Sequence, residues 1–585
     1  MRVWQSREKE ALDRGLLKPN VDLPDLIRRF LVAREILEPE AVASLLHPKL
    51  QNLADPFLMK GMQTAVHRLV EAYEKQEKVC VYADFDLDGT SGLALLWEAL
   101  ETLGYKNVMG YQPKRLSEGY GFHASAVEEL AKDGVRLIIT VDVGITAFAA
   151  AETAKRLGVD VVLTDHHLPV GGLPEVLALV NPNQGDCPSE LGYLCGAGVA
   201  FYLARAVKRG LVEAGHIPET TLNLKALLDF LTIATLTDMV PLQKDNRALV
   251  RQGLLQISFS ERPGLKVLLQ KLGLHGKPLS SQDVAVKFAP KLNALSRMET
   301  GLRPIDLFRA NSESALLMVN EVLENNSARV EFQSQGEARA LELSSTWPHE
   351  RFVFLSHDEF HRGVVGLIAT KVSQQKGLPV FIGSKGADGF IVGSGRTPPG
   401  SELNLLDALG AVGPHLTRFG GHSGAAGFEL SEKNLDLVVD GLVKFFDEWE
   451  SKPGLQVVEY DLDLTIDDVT PQLMKWFETL GPFGQGFSQP MFSLGPVRIR
   501  DSKTLRGGHR KLWIESLESG ASLEALFFSP PPSLRDEDVA RGRTVRLMGE
   551  LQWNDFNGQR SLQFLIRDLQ SASLEVPLST QKAPL

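Results

Sequence analysis

Two hydrophobic patterns alternate along the chain between about residues 60 and 310. Short runs rich in β-branched residues predict buried strands, and the amphipathic stretches between them predict helices. One of these helices is predicted to begin at Ser91, because Thr90 occupies a suitable N-cap position. The alternation is typical of a largely parallel sheet with helices on both faces. The strand-like runs that matter most cover residues 79–82, 137–141 and 159–163.

The rest of the chain follows other patterns. Residues 1–55 have helical patterning that is interrupted by prolines. Residues 312–345 lack proline and carry apolar side chains at near-helical spacing, which predicts one long helix between two domains. A second α/β unit is predicted over residues 350–447, and short strands with turn residues predict a small β-barrel over residues 455–570.

The composition indicates how many domains the chain can form and in which compartment the protein is expected. A chain of 585 residues with 43% hydrophobic content is long enough for several cores, since single cores stop growing near ~250–300 residues. Only three cysteines occur, which is typical of a reducing compartment and excludes a disulfide framework. The N-terminus lacks the apolar core of a signal peptide, and no run of about 18 apolar residues is present. We therefore expect a soluble, cytoplasmic protein that does not enter a membrane.

Acidic residues and histidines follow three of the predicted strands. Because ligands of open α/β sheets bind outside the carboxyl ends of the strands, we expect these side chains to converge. Clustered carboxylates would repel one another if bare, so the pattern indicates divalent cations, and two ions fit better than one. Mixed carboxylate and imidazole ligands suit Mn²⁺ or Mg²⁺. The residues are Asp84, Asp86 and Asp88, then Asp142, then Asp165, His166 and His167, and finally Asp238 after a helical run at residues 224–234.

Several of these residues have ordinary explanations when they are taken singly. Alternating acids before Gly89 also occur in Ca²⁺ loops of the EF-hand kind, but Leu95 stands where such a loop needs a bidentate Glu. Asp142 alone could form a turn, and Asp238 alone could be a helix-terminal acid. On an extended chain the two adjacent histidines would point in opposite directions, so only one of them is expected to reach the cations.

These four segments, in this order, resemble the DHH phosphoesterase superfamily and, within it, the RecJ single-stranded DNA exonucleases. The resemblance extends from about residue 45 to residue 570. It includes motifs similar to a DHHA1 domain and to the beginning of an OB-fold. The further matching segments are residues 290–297, 361–366, 393–396, 419–427, 481–487 and 509–512.

The resemblance implies a multidomain α/β fold. A DHH parallel-sheet domain and a DHHA1 α/β domain would be joined by a long helix and followed by a C-terminal β-barrel of the OB-fold type. The expected boundaries are 1–55 for a helical N-terminal segment, 56–310 for the DHH catalytic domain, 311–348 for the linking helix, 349–450 for the DHHA1 substrate-binding domain, 451–572 for the OB-fold and 573–585 for a disordered tail.

The resemblance also implies roles for individual residues. Two Mn²⁺ or Mg²⁺ ions would be held by Asp84, Asp86, Asp88, Asp142, His166 and Asp238. Asp165 would orient an imidazole, and His167 would face the scissile phosphate. Ser394 and Arg396 would clamp a phosphate, because Arg presents a planar fork of donors. The remaining substrate-binding candidates are Asn293, Arg297, His361, His422, Arg506, Arg510, Lys511 and Trp513.

The formal net charge of −11 is unusual for a protein that binds a polyanion. Residues 498–511 nevertheless contain six basic residues against one acid, with Trp513 just beyond. This segment favours a groove for single-stranded nucleic acid. A solvated basic hairpin remains the alternative for this stretch taken alone.

By resemblance, the expected function is a 5′-to-3′ exonuclease that hydrolyses single-stranded DNA to mononucleotides in DNA repair and recombination. Expected partners are single-stranded DNA, a single-stranded DNA-binding protein and a helicase, and the protein is expected to be a monomer. One alternative is a DHH phosphodiesterase for short oligonucleotides or cyclic dinucleotides, against which the additional basic barrel argues. The other alternative is a non-catalytic, Cdc45-like replication scaffold, which predicts eroded ligands, whereas all of them are present here.

Overall fold

The structure is a computed structural model that describes residues 2–114, 118–298, 301–449, 456–531, 534–556 and 559–572. The chain forms two compact units. One unit combines Met1–Asn52 with Leu455–Leu585, and the other comprises Leu53–Gly454. The predicted disordered tail, residues 573–585, lies outside the described residues. None of the described helices is both long enough and apolar enough to cross a membrane.

The N-terminal segment contains a strand as well as the predicted helices. Strand β1 (Arg2–Ser6) pairs in parallel with residues 456–460, a pairing that no local pattern in the sequence indicates. The Ser6 hydroxyl then accepts a hydrogen bond from the Lys9 amide and caps the first helix. The helices of this segment are α1 (Arg7–Asp13), α2 (Asp25–Ala33) and α3 (Pro39–Leu46).

The second unit begins with a parallel sheet, as the alternating pattern predicts. Its five strands have the order β3-β2-β4-β5-β6, and their central members are fully buried, which explains their continuous apolar runs. The strands are β2 (Val79–Ala83), β3 (Val108–Tyr111), β4 (Leu137–Val141), β5 (Asp160–Thr164) and β6 (Ala178–Val180). The helices up to this point are α4 (Met62–Lys75), α5 (Leu87–Leu103), α6 (Ala124–Lys132) and α7 (Phe148–Leu157).

A mainly helical region follows the sheet and ends in the predicted long helix. That helix, α14 (Ala315–Ser345), has 31 residues and packs against α12 and α15. The preceding helices are α8 (Gly196–Glu213), α9 (Leu228–Thr237), α10 (Lys244–Ser258), α11 (Pro263–Lys271), α12 (Ala289–Leu295) and α13 (Pro304–Phe308), and α15 (Val365–Lys376) belongs to the next sheet.

A second sheet of five strands completes this unit, with the order β10-β11-β9-β8-β7. Strands β7 and β8 are parallel and the other pairs are antiparallel. Its aromatic core includes Phe352, Phe381 and Phe446. The strands are β7 (Val353–His357), β8 (Val380–Lys385), β9 (Phe390–Arg396), β10 (Arg418–His422) and β11 (Ala425–Ser431), with helices α16 (Leu405–Ala411) and α17 (Leu435–Glu448).

The C-terminal part of the first unit is a β-barrel. Its strands have the order β13-β14-β15-β16-β18-β17, and β14 also pairs with β17, which closes the sheet. Phe30 of α2 packs edge-on against Phe477, so the N-terminal helices share the barrel's core. The elements are β12 (Gln456–Tyr460), β13 (Leu462–Leu464), α18 (Pro471–Leu480), β14 (Phe492–Thr504), β15 (Arg510–Ser516), β16 (Ser522–Phe527), β17 (Thr544–Phe556) and β18 (Gln559–Ser571). The predicted fold class is confirmed.

Candidate metal centre and substrate-binding residues

The predicted ligands lie at the point where the strand order of the parallel sheet reverses. After β2 the chain forms β3 on one side of β2, and it then forms β4 on the other side. The segments that follow β2 and β4 therefore leave the sheet in different directions and open a crevice between the two carboxyl ends. Asp84 follows β2 and Asp142 follows β4, so both acids lie at this crevice.

Asp86 is the N-cap of α5. One of its carboxylate oxygens accepts hydrogen bonds from the amides of Asp88 (2.8 Å) and Gly89 (3.0 Å). The helix therefore begins at Leu87, and the predicted start at Ser91 was wrong. The Asp side chain satisfies two otherwise unpaired amides at the helix end, so the first turn forms directly after the strand.

Asp88 is held by the N-terminus of a second helix. Its two carboxylate oxygens accept hydrogen bonds from the amides of Gly196 (2.7 Å) and Ala197 (2.8 Å) at the start of α8. The positive end of the helix dipole stabilises this buried carboxylate. A Cβ atom at position 196 would lie 2.4 Å from the Cβ of Asp142, so only glycine allows α8 to approach both acids. The sequence analysis did not identify Gly196.

The two histidines do not point in opposite directions, contrary to the prediction. Strand β5 ends at Thr164, and one Asp165 oxygen accepts hydrogen bonds from the amides of His166 (2.7 Å) and His167 (3.1 Å). This turn curls the chain, so the two imidazole rings lie only 4.5 Å apart between centroids. His166 Nε2 lies 3.2 Å and His167 Nδ1 lies 3.8 Å from the same oxygen of Asp142.

Asp165 also bonds directly to one imidazole, as the resemblance implies. Its Oδ1 lies 2.8 Å from His167 Nδ1, and its Oδ2 accepts a hydrogen bond from the Ile145 amide at 2.9 Å. Burial opposes ionisation of Asp165, but these bonds outweigh it, so the pKa of Asp165 lies below its ordinary value. Burial also acts to lower the pKa of His167, but Asp165 raises that pKa to about 9. In the metal-free protein, the pair therefore favours a carboxylate and a cationic imidazole.

Two asparagines support the histidine loop and were missed by the sequence analysis. Asn181 Nδ2 donates to the carbonyl oxygen of His167 at 2.9 Å, and Asn183 Nδ2 donates to that of His166. Both asparagines follow β6, the strand next to β5. Their position just after a further strand of the same parallel sheet, β6, is the signal that could have identified them.

Within the part of the chain that the structure describes, the side chains form three groups of potential metal ligands. In each group the ligand atoms lie within 4.8 Å of one another. Asp142 belongs to two groups and His166 belongs to two, so the groups share members rather than standing apart. This arrangement fits two neighbouring cations with a shared carboxylate. The groups are Asp84, Asp86 and Asp142; Asp88, His166 and Asp238; and Asp142, His166 and His167.

The donor atoms at the centre of this cluster fit metal binding. Among the residues that the structure describes, Asp142 Oδ1, His166 Nε2 and Asp238 Oδ2 are buried and make no hydrogen bond. Buried polar atoms without partners are costly, and bound cations would satisfy them. Asp142 also has a left-handed backbone, with φ of 63°, a strained conformation of the kind that clusters at functional sites.

The pKa values show how strongly the acids repel one another. Burial and the charges of Asp88 and Asp86 raise the pKa of Asp142 well above its ordinary value. The same causes raise the pKa of Asp238 to about 8. Burial lowers the pKa of His166, which favours the neutral imidazole that binds metals. Cations bound in the cluster would favour the ionised carboxylates and so lower the pKa values that burial and mutual repulsion raise.

In the second sheet of the same unit, Ser394 and Arg396 are in direct contact. Arg396 Nη1 donates to Ser394 Oγ (2.5 Å) and to the carbonyl oxygen of Gly395 (2.7 Å). Burial lowers the pKa of Arg396, and no carboxylate that the structure describes forms an ion pair with it. A Cβ atom at Gly366, near the start of α15, would lie 2.9 Å from Arg396 Nη2. A partly buried guanidinium beside a helix N-terminus is suited to an anion.

The other candidates in this unit are arranged in different ways. Arg297 Nη1 donates to the carbonyl oxygen of Gly363 at 3.2 Å, and the Gly363 amide donates to His361 Nδ1 at 3.1 Å. The structure therefore brings Arg297 and His361 together around one glycine. Asn293 lies on α12, partly exposed, and His422 ends strand β10, whose side chains are all exposed.

In the barrel, two of the predicted basic residues are already paired with acids. Arg510 forms an ion pair with Asp536, and Lys511 lies 2.8 Å from Glu524, which also accepts a hydrogen bond from Trp513. Arg506 is exposed at the turn between β14 and β15 and forms no ion pair with any residue that the structure describes. The free charge of this hairpin is therefore smaller than its sequence indicates.

Comparisons with known proteins agree with this architecture. Three family profiles match in order, described as the DHH family, N-terminal domain (residues 78–235), the DHHA1 domain (residues 349–452) and the RecJ OB domain (residues 460–568). A parallel sheet with this acid and imidazole cluster, followed by a DHHA1 domain, defines a protein of the DHH class.

Full-length relatives define the family within this class. The chain is 33% identical to the single-stranded-DNA-specific exonuclease RecJ of Dickeya dadantii, over 94% of this chain and 96% of the relative. It is 32% identical to the same enzyme of Escherichia coli, over 94% of this chain and 96% of the relative. The crystal structure of RecJ from Thermus thermophilus in complex with Mn²⁺ matches with a TM-score of 0.77 and 25% identity, over 97% of this chain and 80% of that chain. The chain belongs to the RecJ family.

Proposed function

We propose that this protein is a metal-dependent exonuclease that hydrolyses single-stranded DNA from the 5′ end and releases mononucleotides. The observation that carries the proposal is the sharing of Asp142 between two ligand groups, at the sheet's crevice, with buried ligand atoms that make no hydrogen bond to any described residue. The substrate class follows from the relatives, which are named as single-stranded-DNA-specific exonucleases. The 5′-to-3′ direction follows from the family resemblance.

The ligands of the proposed metal centre are Asp84, Asp86, Asp88, Asp142, His166 and Asp238. Two bound Mn²⁺ or Mg²⁺ ions would supply Lewis-acid activation of the scissile phosphate and of the attacking water. The choice of ions rests on the mixed carboxylate and imidazole donors and on the Mn²⁺ complex of the relative.

The chain's own residues prepare the substrate for this reaction. The α5 and α8 N-termini hold Asp86 and Asp88 in place through backbone amides. His167, held by its contact with Asp165, lies beside the cluster and would face an oxygen of the scissile phosphate. Ser394 and Arg396 would receive a terminal 5′ phosphate, with Asn293, Arg297, His361 and His422 as further contacts.

We also propose a division of labour along the chain. Residues 56–310 would carry the chemistry, 349–450 would bind the strand end, and the barrel within 451–572 would bind the strand through Arg506, Arg510, Lys511 and Trp513. The protein would act in the cytoplasm as a monomer, in DNA repair and recombination. A helicase and a single-stranded DNA-binding protein would be its partners, because duplex DNA has to be unwound before a single-strand nuclease acts on it.

The two alternative functions find less support. A phosphodiesterase for short oligonucleotides or cyclic dinucleotides has no need of the barrel that matches the RecJ OB domain. A Cdc45-like scaffold predicts loss of the ligand set, whereas every acid and imidazole of the cluster is present.

The test of the proposed function is an end-label assay. The protein is incubated with Mn²⁺ or Mg²⁺ and with 5′- or 3′-labelled single-stranded DNA, duplex DNA and RNA. Early release of the 5′ label as a mononucleotide from single-stranded DNA is the expected result. Early release of the 3′ label would contradict the proposed direction.

The Asp142→Ala variant tests whether the carboxylate and imidazole cluster carries this activity. Because Asp142 is shared between ligand groups, its loss should abolish turnover while the protein remains folded. Retention of more than about a tenth of the wild-type kcat, a loss below ~1.4 kcal/mol, would contradict the assignment.

A further inference from the structure

The side-chain amide of Gln112 joins three segments at the crevice of the parallel sheet. Gln112 directly follows β3, and only 9% of its surface is exposed. Its Nε2 donates to the carbonyl oxygen of Asp84 at 2.7 Å and to Thr90 Oγ1 at 2.9 Å, and both hydrogen bonds are buried. Both hydrogens of the amide are therefore used. The end of β3 is thereby linked to the residue after β2 and to the first turn of α5.

The main chain of Asp84 is held from three directions. Its amide donates to the carbonyl oxygen of Val141 at 3.3 Å, which links it to the end of β4. Its carbonyl oxygen accepts the hydrogen bond from Gln112. A Cβ atom at Gly89 would lie 2.5 Å from the same oxygen, so α5 starts directly against this peptide. The direction in which Asp84 presents its carboxylate therefore depends on the peptide that Gln112 holds.

Both hydrogen bonds of Gln112 lead to one group of ligands. Among the described residues, Asp84 belongs only to the group that it forms with Asp86 and Asp142. The second acceptor, Thr90, donates its own amide to the carbonyl oxygen of Asp86 at 2.9 Å. The glutamine amide is thus connected to the main chain of two of the three acids in this group.

The group of Asp88, His166 and Asp238 has different supports. The amides at the start of α8 hold the carboxylate of Asp88. Asn183 donates to the carbonyl oxygen of His166. Neither acceptor of the Gln112 amide belongs to this group. A change at Gln112 should therefore affect the two groups of ligands unequally.

We propose that Gln112 is a positioning residue that sets the affinity of the cation held by Asp84, Asp86 and Asp142. The inference rests on the proposed metal centre and deepens it, because it assigns a separate support to one of the two ions. Loss of a residue that orients a ligand from outside the coordination sphere typically lowers metal affinity 10–100-fold. A neutral amide orients the ligand without adding a charge that would change the electrostatics of the carboxylates.

Calorimetric titration of the metal-free protein with Mn²⁺, in the absence of DNA, tests the proposal. The wild type should bind two ions. Gln112→Met keeps the length of the side chain and removes both donors, so it should weaken one binding event about 10–100-fold and leave the other within about two-fold. Asp84→Asn should weaken the same event, and adding Gln112→Met to it should change little more, because the glutamine acts through Asp84.

Tyr105→Phe is the matched control. The Tyr105 hydroxyl donates to the carbonyl oxygen of Leu69 at 2.8 Å, so this variant also loses a buried hydrogen bond to the main chain. Tyr105 precedes β3 and Gln112 follows it, so the control lies at the opposite end of the strand. Tyr105→Phe should lower the melting temperature without changing either Mn²⁺ affinity. Thr90→Val removes one of the two acceptors of Gln112, so it should weaken the same event by less, and it takes the place of Gln112→Met if that variant does not fold.

Turnover of labelled single-stranded DNA gives a second readout. In Gln112→Met the Mn²⁺ concentration for half-maximal rate should rise as binding weakens, while kcat at saturating Mn²⁺ stays within about three-fold of the wild-type value. Equal weakening of both binding events, unchanged Mn²⁺ affinities in Gln112→Met and Thr90→Val, or a wild type that binds fewer than two ions would overturn the positioning role. A wild type that binds two Mn²⁺ ions but releases no nucleotide would instead contradict the proposed function, and the titrations would still decide the role of Gln112.

Discussion

Arg34 and Asp461 form a two-point ion pair although 427 positions separate them in the chain. Arg34 Nε lies 2.6 Å from Asp461 Oδ1, and Nη2 lies 2.8 Å from Oδ2. The Asp461 side chain is fully buried, and it also accepts hydrogen bonds from Arg7 (3.2 Å) and the Met491 amide (2.8 Å). The Asp461 carboxylate therefore links the N-terminal segment to the barrel within one unit.

Asp461→Ala should destabilise this unit strongly. Removing one partner of a buried pair leaves the other charge uncompensated, which costs about 3–5 kcal/mol. The free energy of unfolding, measured by denaturant titration, provides the check. Arg14→Ala is the matched control, because the Arg14 and Glu35 side chains are both more than half exposed and such pairs contribute only about 0–1 kcal/mol. Equal losses of unfolding free energy in the two variants would contradict a stabilising role of the Asp461 ion pair.

The metal-free protein should lose stability as pH rises. The pKa of Asp238 is raised to about 8 in the folded chain, against about 3.9 in an unfolded one. A group with a raised folded pKa contributes stability below its unfolded pKa and loses it as pH rises through the folded pKa. His167, with its pKa raised to about 9, acts in the same direction above its unfolded value of about 6.5.

Melting temperatures in the presence of a chelator check this prediction. They should fall between about pH 6 and pH 9, and added Mn²⁺ should raise them most at the alkaline end, because metal binding displaces protons from the ligands. A chelated protein whose stability is flat over this range, or a Mn²⁺ effect that is largest at low pH, would contradict the mutual repulsion of the cluster.

Arg396→Ala should impair phosphorylated 5′ ends more than hydroxyl ends. The partly buried guanidinium has no carboxylate partner among the described residues, so a terminal phosphate is its expected ligand. The measurement is kcat/KM on matched 5′-phosphate and 5′-hydroxyl strands. Arg418→Ala, which removes an exposed arginine paired with Glu429 on the same sheet, serves as control. An equal loss of kcat/KM on both substrates would mean that Arg396 binds an internal phosphate of the DNA strand or supports the fold.

The basic hairpin should bind the strand mainly through its unpaired residues. Arg506→Ala should reduce the log-log salt slope of binding by about 0.7, as expected for one lost contact with a single strand. Arg510→Ala should reduce it less, because Asp536 already compensates part of that charge. A loss of affinity with an unchanged slope in Arg506→Ala would show that the hairpin acts structurally.

The sequence by itself determined the fold class and the chemistry of the candidate site. Buried parallel strands need continuous apolar runs, and β2, β4 and β5 could be recognised because local hydrophobicity is sufficient evidence for them. Asp84 and Asp142 follow strands directly, so their convergence followed from the general position of ligands at strand ends. Asp238 follows helix α9 instead, and the family resemblance was what placed it with them. The long helix α14 could also be predicted, because the helical spacing of its apolar residues is a pattern within one continuous segment.

Only the tertiary structure decided how the site is held and which charges remain free. Gly196 supports the ligands from a distant element, and no local pattern indicates this contact. The direction of His167 depended on a turn formed by the Asp165 side chain, which overrides the extended conformation assumed from sequence. The pairing of β1 with β12 and the neutralisation of Lys511 by Glu524 join residues that are far apart along the chain or across strands. Such contacts depend on the packing of the whole unit, and no short stretch of sequence encodes them.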